Sequence, residues 1–222
     1  MAEIRQGSQV PSQSHILPYS VSEGEEAIRL YENTGRQAME WQKLLMFDLL
    51  AKNDEGLWVH TKFGYSIPRR NGKSEILVAR ELKALFSGER VLHTAHRTTT
   101  SHASWERLKE ALNNLGYVNR SEVRKEDNVK EEMQYISYKA MGLESIEMCM
   151  EGGGKINFRT RTSKGGLGEG YDVLIIDEAQ EYMDDQESSL KYVVSDSMNP
   201  QTIMCGTPPT PISSGEDGKI TD

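Results

Sequence analysis

The segment Asn71-Gly72-Lys73-Ser74 contains residue types that could bind phosphate. Gly72 lets the backbone approach phosphate oxygens closely, and the unpaired N–H groups at the start of a following helix attract anions. Lys73 can reach the β- and γ-phosphates of a nucleotide, and the Ser74 hydroxyl can ligate Mg²⁺. We therefore predict that these four residues bind the phosphates of ATP together with a magnesium ion.

The segment departs from the usual phosphate loop, G-x-x-x-x-G-K-[ST], because Ile67 stands where the first glycine should be. Two arginines, Arg69 and Arg70, lie inside the loop instead. Because cations this close to Lys73 repel one another unless an anion lies between them, the arginines favour a bound phosphate group. A solvated basic turn is the alternative interpretation of the same residues.

A pair of acidic residues, Asp177 and Glu178, follows the apolar run YDVLII. A buried strand that ends in two acids places both carboxylates at the carboxyl edge of a sheet, where open α/β folds bind ligands. Asp177 would hold Mg²⁺ through its water shell, and Glu178 would orient or deprotonate the attacking water. Together with Lys73, the pair predicts ATP hydrolysis. A degenerate loop that binds nucleotide without turnover is the alternative.

The elements that must position these residues alternate between strands and helices. Strands are predicted over 57–67, 90–95, 171–177 and 202–207, and a hairpin over 145–150 and 155–161. Helical patterns cover 23–53, 74–87, 100–115 and 185–195, whereas 118–144 is ambiguous. The continuous apolar run VLII is typical of a strand buried on both faces. We therefore predict an α/β fold of the P-loop NTPase class (RecA-like, ASCE), with a mostly parallel central sheet flanked by helices.

Composition suggests one main domain in the chain of 222 residues. Residues 1–22 are predicted to be an N-terminal arm, 23–212 a P-loop ATPase domain, and 213–222 a linker or truncated C terminus. The formal net charge of −8 gives no support for DNA binding by the surface as a whole. The sequence lacks an apolar run long enough to span a membrane and a secretory signal, and its two cysteines are expected to be buried, reduced thiols of a cytosolic protein.

Five segments occur in an order that resembles a known family. They are WQ at 41–42, PRRNGKSE, a glycine-rich loop, LIIDEAQE and CGTPP, and together they resemble the ATPase domain of large terminases, the motors that pump DNA into phage capsids. The resemblance covers about residues 38–211, and it includes that family's variant phosphate loop, in which an arginine-bearing segment replaces the first glycine. It implies ATP and Mg²⁺ as cofactors, a homo-oligomeric ring, and the host-cell cytoplasm as location. The implied partners are double-stranded DNA, the portal and the small terminase subunit.

The resemblance also implies roles for individual residues. Gln42 would hydrogen-bond the adenine edge, and Arg69 or Arg70 would sense the γ-phosphate. The segment Gly206-Thr207-Pro208 would couple loss of that phosphate to DNA movement. The alternatives are an ordinary amphipathic helix around Gln42 and a plain strand-to-loop turn at the later segment.

A basic, glycine-rich loop at 159–170 contains Arg159, Arg161 and Lys164. In ring motors of this kind, an arginine from a neighbouring subunit completes the site, and arginine fingers raise rates by roughly 10³–10⁵-fold. Arg161 is the first candidate for this trans role, with Arg159 and Lys164 behind it. A flexible basic loop that touches DNA is the alternative.

One departure from the family concerns the end of the chain. Large terminases also carry a nuclease domain with a carboxylate cluster that binds two metals, whereas this sequence ends shortly after CGTPP. We therefore expect no nuclease activity from it, whether it is a fragment or a stand-alone ATPase. Two other functions are compatible with the motifs: a helicase or RecA-like cellular ATPase, and a nucleotide-gated binding protein with little turnover.

Overall fold

The computed structural model describes residues 7–124, 126–140, 142–161, 169–183, 186–187, 190 and 192–208. The helices are α1 (Gly24–Asn33), α2 (Glu40–Leu49), α3 (Lys73–Phe86) and α4 (Thr98–Asn114). The first five strands are β1 (Val21–Ser22), β2 (Ala51–Lys52), β3 (Lys62–Ser66), β4 (Arg90–Ala95) and β5 (Val118–Asn119). The others are β6 (Gln134–Tyr138), β7 (Leu143–Met148), β8 (Lys155–Thr160), β9 (Val173–Asp177) and β10 (Gln201–Gly206).

One large sheet runs through the described part of the chain in the strand order β3-β10-β9-β4-β8-β7-β6-β5. In this order the strands from β3 to β8 run parallel to one another, while β7 is antiparallel to both β8 and β6. The register pairs Cys205 of β10 with Asp177 of β9 and with Tyr65 of β3. Because these strands end level with one another, the loops that follow them meet at one edge. The predicted α/β fold with a mostly parallel sheet is confirmed.

Successive side chains of a strand point to opposite faces of the sheet, and in strand β9 both sets are mainly apolar, so both faces are covered. Val173 and Ile175 of β9 pack into a core cluster with α1, α2, α3 and α4, while Leu174 and Ile176 pack into a second cluster on the other face. All five residues of β9 are buried. Ten of the fourteen residues of α3 are buried as well, so the helix that follows the phosphate loop is fixed between the sheet and the other helices.

Two elements differ from the sequence prediction. The helical pattern over 23–53 forms two helices, because Gly35 takes a left-handed conformation (φ 83°) after α1. The strand predicted from residue 57 begins only at Lys62, where the ladder with β10 starts at Thr202. Trp58 lies outside the sheet and forms an isolated bridge with Lys52. Pairing partners, rather than β-propensity, therefore set the start of β3.

The other predicted elements agree more closely with the structure. Helices α3 and α4, strands β4, β9 and β10, and the hairpin of β7 and β8 lie where they are predicted, and the ambiguous stretch 118–144 supplies β5 and β6. The predicted helix 185–195 falls partly on residues outside the described set (185, 188–189 and 191), and the predicted linker 213–222 and Lys164 lie wholly outside it. Among the described residues, no helix has both the length and the apolar character needed to cross a bilayer.

The amino-terminal edge of the sheet is held together by a buried arginine. The Arg80 side chain is 1% exposed, and it donates to both carboxylate oxygens of Glu89, at 2.6 and 3.0 Å, and to Oε1 of Gln201 at 3.1 Å. Replacing Arg80 with methionine leaves these two acceptors unpaired, so we expect the free energy of unfolding to fall by about 3 kcal/mol. Urea denaturation measures this loss.

The matched control for that measurement is Arg120→Met. Arg120 pairs with Glu131 on the surface, and about half of its side chain is exposed. Its removal should change the free energy of unfolding by less than about 0.5 kcal/mol. Equal losses in the two variants would show that Arg80 does not hold this edge.

Candidate active site

An open cleft of about 620 Å³ lies at the carboxyl edge of β3, β10, β9 and β4. Its walls come from the loop between β3 and α3, the first turn of α3, and the segments that follow β4, β9 and β10. This is the edge at which α/β sheets bind ligands. Four of the residues predicted to do chemistry line the same cleft: Lys73, Ser74, Asp177 and Glu178.

The predicted phosphate loop, residues 67–72 between β3 and α3, leads into the backbone N–H groups that face this cleft. Gly72 is the N-cap of α3 with φ 81°, and no side chain caps the helix there. The N–H of Glu75 donates to the Gly72 carbonyl at 3.1 Å, while those of Lys73 and Ser74 lie at the positive end of the helix dipole, where an anion is stabilised. The loop is braced from inside, because the Asn71 amide donates to the carbonyls of Pro68 (3.2 Å) and Arg69 (3.1 Å).

The missing first glycine is explained by strand pairing. The N–H of Ile67 donates to the Gly206 carbonyl at 3.1 Å, so this position still belongs to the β3–β10 ladder and needs no special backbone freedom. The left-handed conformation occurs later in the loop, at Arg70 with φ 65° and at Gly72. A non-glycine residue in this region costs roughly 1–2 kcal/mol, and such strain concentrates at functional sites. Arg69 and Arg70 are exposed and line the cleft.

Lys73 and Asp177 meet at the bottom of the cleft, with Nζ 2.9 Å from Oδ1. The Asp177 side chain is 3% exposed, and its Oδ1 also accepts from the Glu178 N–H at 2.8 Å and from Cys205 Sγ at 3.0 Å. Burial alone would raise the pKa of Asp177, but His93, Lys73 and the hydrogen bonds outweigh it and hold the pKa below its usual value. Burial likewise works to lower the pKa of Lys73, but Cys205, Asp177 and Glu178 prevail, so that pKa is raised. Both side chains are therefore charged near neutral pH.

A buried histidine, His93, lies next to the Asp177 carboxylate. His93 Nε2 lies 4.0 Å from Asp177 Oδ2, and its Nδ1 is hydrogen-bonded to Glu81 of α3. Both His93 and Glu81 are buried. Sequence reasoning missed this pair, although a histidine inside the apolar strand RVLHTA and a glutamate within the buried face of α3 are the signal for it. Polar groups in such positions need partners.

The chemistry of the cleft fits a magnesium ion. The Ser74 hydroxyl and the Asp177 carboxylate are hard oxygen ligands, and both line the cleft beside the phosphate loop. Mg²⁺ in nucleotide enzymes is usually bound by one or two such groups together with substrate phosphates and water. Asp177 Oδ1 is occupied by three donors, whereas Oδ2 faces only the more distant His93 Nε2 among its described contacts.

Arg161, predicted to act on a neighbouring subunit, makes its hydrogen bonds within its own chain. Its guanidinium is turned into its own chain, where it donates to the carbonyls of Thr94 (3.2 Å), Asp177 (2.6 Å) and Glu178 (3.0 Å). To reach a neighbouring subunit it would have to break these three hydrogen bonds, so the placement does not support the trans role. Arg159, the second candidate, donates to the carbonyl of Glu144 and to its own neighbour Phe158.

Gln42 also makes contacts other than the predicted one. Its Oε1 accepts from the Met39 N–H at 2.8 Å, and its Nε2 donates to the Gly72 carbonyl at 3.1 Å. The side chain is buried. Gln42 therefore ties the start of α2 to the phosphate loop, and its contact with adenine stays a prediction.

The end of β10 is linked to the end of β9 by a residue that sequence reasoning missed. The N–H of Thr207 donates to Gln180 Oε1 at 3.2 Å, and both residues line the cleft. Gly206 leaves little space beside this amide, since a Cβ there would lie 3.1 Å from the same oxygen. Pro208 follows on the surface. The predicted coupling segment thus contacts the loop that carries Glu178.

Gly72 is the position at which a methyl group should be most harmful to the loop. Its φ of 81° is unfavourable for other residues, and a Cβ would lie 2.9 Å from Gln42 Nε2. We expect Gly72→Ala to lower the free energy of unfolding by about 2–3 kcal/mol and to weaken binding of a fluorescent ATP analogue.

Gly35→Ala is the control for the backbone effect of this change. Gly35 has a similar φ, 83°, but nothing lies within 4 Å of its added Cβ. Gly35→Ala should lower the free energy of unfolding by only about 1 kcal/mol and leave nucleotide binding unchanged. If both variants behave alike, the contact between Gln42 and the loop does not matter.

The loop between β3 and α3, with Lys73 paired to Asp177 at the end of another parallel strand, has the arrangement predicted for a P-loop NTPase fold. Strand β10 lies between these two strands, so the loop and the carboxylates face each other across one strand end. The predicted fold class is confirmed.

Comparison with known proteins narrows the fold further. No protein-family model and no curated protein sequence matches the chain. The large terminase of bacteriophage HK97 superposes with a TM-score of 0.62 and 16% identity, over 84% of this chain and 38% of that one. The large terminase ATPase domain of Thermus phage P74-26 superposes with a TM-score of 0.56 and 15% sequence identity. That match covers 82% of this chain and 69% of the phage domain. The chain thus has the fold of phage large terminase ATPase domains, and it spans about two fifths of the HK97 protein.

Proposed function

We propose that this chain is the ATP-hydrolysing motor domain of a phage DNA-packaging terminase large subunit. The observation that carries the proposal is the meeting of Lys73 and Asp177 at 2.9 Å, with Glu178 next in sequence, in a cleft at the carboxyl edge of the sheet. The fold shared with phage large terminase ATPase domains supports it.

The residues of the cleft divide the work between binding and chemistry. Lys73 and the first N–H groups of α3 bind the β- and γ-phosphates, and Arg69 or Arg70 contacts the γ-phosphate from the rim. Ser74 and Asp177 would hold Mg²⁺, which would neutralise phosphate charge when bound. Glu178 orients the attacking water and accepts its proton. Lys73 leaves Asp177 when nucleotide enters: its ammonium group then pairs with phosphate oxygens, and the Asp177 carboxylate would face the metal ion instead.

Movement of DNA requires that loss of the γ-phosphate change the conformation of another part of the chain. The hydrogen bond from the Thr207 N–H to Gln180 gives a direct path from the loop after β9 to the segment after β10. The partners proposed for the assembled motor are double-stranded DNA, the portal, the small terminase subunit and further copies of the chain in a ring, acting in the host cytoplasm. With a net charge of −8, the grip on DNA belongs to a local basic patch or to another part of the assembly.

The test of this proposal is phosphate release from ATP by the intact chain, with Mg²⁺ and with chelator, over a wide range of protein concentrations. Release that requires Mg²⁺ and rises with concentration and with linear duplex DNA is the expected result. Binding of ATP without release would instead support a nucleotide-gated binding protein. Unwinding of a forked duplex would support a helicase.

A further inference from the structure

Arg161 bridges the ends of three parallel strands. Its own N–H, just after β8, donates to the Ala95 carbonyl at 2.9 Å. Its Nη1 donates to the Thr94 carbonyl of β4 and the Asp177 carbonyl of β9, and its Nη2 donates to the Glu178 carbonyl. The guanidinium thus lies under the segment that carries both acids of the cleft.

The two carbonyls at 177 and 178 belong to the two peptide groups that flank the Cα of Glu178. A group that holds both peptide planes fixes the φ and ψ angles of the residue between them. Glu178 is left-handed, with φ 55° and ψ 52°, a conformation that costs a residue with a side chain about 1–2 kcal/mol. Hydrogen bonds from outside the segment would offset this cost, and Arg161 supplies two of them, at 2.6 and 3.0 Å.

The contact is buried, and it uses the planar fork of the guanidinium. The Arg161 residue is 6% exposed, and its Nε has no hydrogen-bond partner within the described residues. Burial lowers the pKa of the guanidinium, although Asp177 and Glu178 work against this change. A lysine has no planar fork and could not serve the carbonyls of two strands in the same way.

We propose that Arg161 is a positioning residue that acts within its own chain: it holds Glu178 in the left-handed conformation and so aims the carboxylate into the cleft. The inference rests on the proposed function, because it assigns Glu178 the task of orienting water. It replaces the trans role that the sequence suggests for Arg161.

The first test is the steady-state kinetics of Arg161→Met and Arg161→Lys. A displaced carboxylate should lower kcat by about 10–100-fold, while KM and the Kd for an ATP analogue stay within about twofold. Lysine should restore only part of the rate. Arg80→Met is the matched control, since it removes a buried, forked arginine from the opposite edge of the sheet. Below its unfolding temperature this control should keep both kcat and KM.

The second test separates action in cis from action in trans. Arg161→Met chains are mixed with Glu178→Gln chains, each of which is expected to be at least about tenfold slower than wild type on its own. A trans arginine would be supplied to Arg161→Met sites by the Glu178→Gln chains, and activity would return. A positioning residue predicts no recovery, and recovery would overturn the inference.

A crystal structure of Arg161→Met provides a readout that does not depend on activity. The inference predicts that Glu178 leaves the left-handed region, and a retained positive φ would overturn it. If wild-type chain releases no phosphate, the proposed function fails while this readout still decides the role of Arg161. If wild type is active and Arg161→Met equals it, the inference fails and the function stands.

Discussion

Replacing Glu178 with glutamine is expected to lower phosphate release from ATP by about 10²–10⁴-fold, the usual contribution of a general base. Glutamine has the same shape but cannot accept the proton of the attacking water. The backbone should be unaffected, because the Glu178 N–H and carbonyl, rather than its carboxylate, make the contacts with Asp177 and Arg161. ATP binding should therefore remain within a few-fold of wild type.

Single-turnover hydrolysis together with equilibrium binding of a fluorescent ATP analogue measures both parts of this result. Glu151→Gln is the charge-matched control, because Glu151 is exposed in the turn between β7 and β8, at the opposite edge of the sheet. That control should keep wild-type turnover. Equal rates for wild type and Glu178→Gln would remove Glu178 from the chemistry, and lost binding would mean that the carboxylate has a structural role instead.

Replacing Lys73 with methionine is expected to weaken ATP binding by about 10²-fold or more and to abolish measurable turnover at ordinary ATP concentrations. Lys73 is the cation at the bottom of the loop, and removal of one partner from a buried charged contact costs about 2–5 kcal/mol, where each 1.4 kcal/mol is tenfold. Isothermal titration with a non-hydrolysable analogue measures the affinity.

Loss of Lys73 should also affect stability, which provides an internal check. Asp177 remains buried without its cation, so the free energy of unfolding should fall by about 1–3 kcal/mol. Adding Asp177→Asn removes the uncompensated charge and should restore part of the stability without restoring ATP binding. An undiminished affinity in Lys73→Met would mean that nucleotide binds elsewhere.

Much of the site could be predicted from the sequence, because it consists of two short segments whose functional residues are adjacent in sequence. Lys73 and Ser74 lie between a strand and a helix, and Asp177 and Glu178 lie at the end of an apolar strand. Parallel strands place their carboxyl ends at one edge of a sheet, so local patterns are enough to bring these four residues together. The 2.9 Å contact between Lys73 and Asp177 follows from that topology.

The contacts that sequence reasoning missed depend on the direction of a side chain in three dimensions. A basic, glycine-rich segment gives no indication whether Arg161 points outward to a neighbour or inward, and the outcome depends on three carbonyls at distant positions. Similarly, the sequence does not indicate that the side-chain amide of Gln42 is hydrogen-bonded to the Met39 N–H and the Gly72 carbonyl. Hydrophobic periodicity predicts which face of an element is buried, but it does not predict which acceptors a buried polar group finds.

The most direct measurement is a crystal structure of the chain with Mg²⁺ and a non-hydrolysable ATP analogue. We expect the triphosphate in the cleft, with Lys73 Nζ moved from Asp177 to the β- and γ-phosphates and Glu178 facing the γ-phosphate. Ser74 and Asp177 would hold the metal. Analogue bound outside the cleft, with Lys73 still 2.9 Å from Asp177, would contradict the assignment of this cleft as an ATP-hydrolysing site.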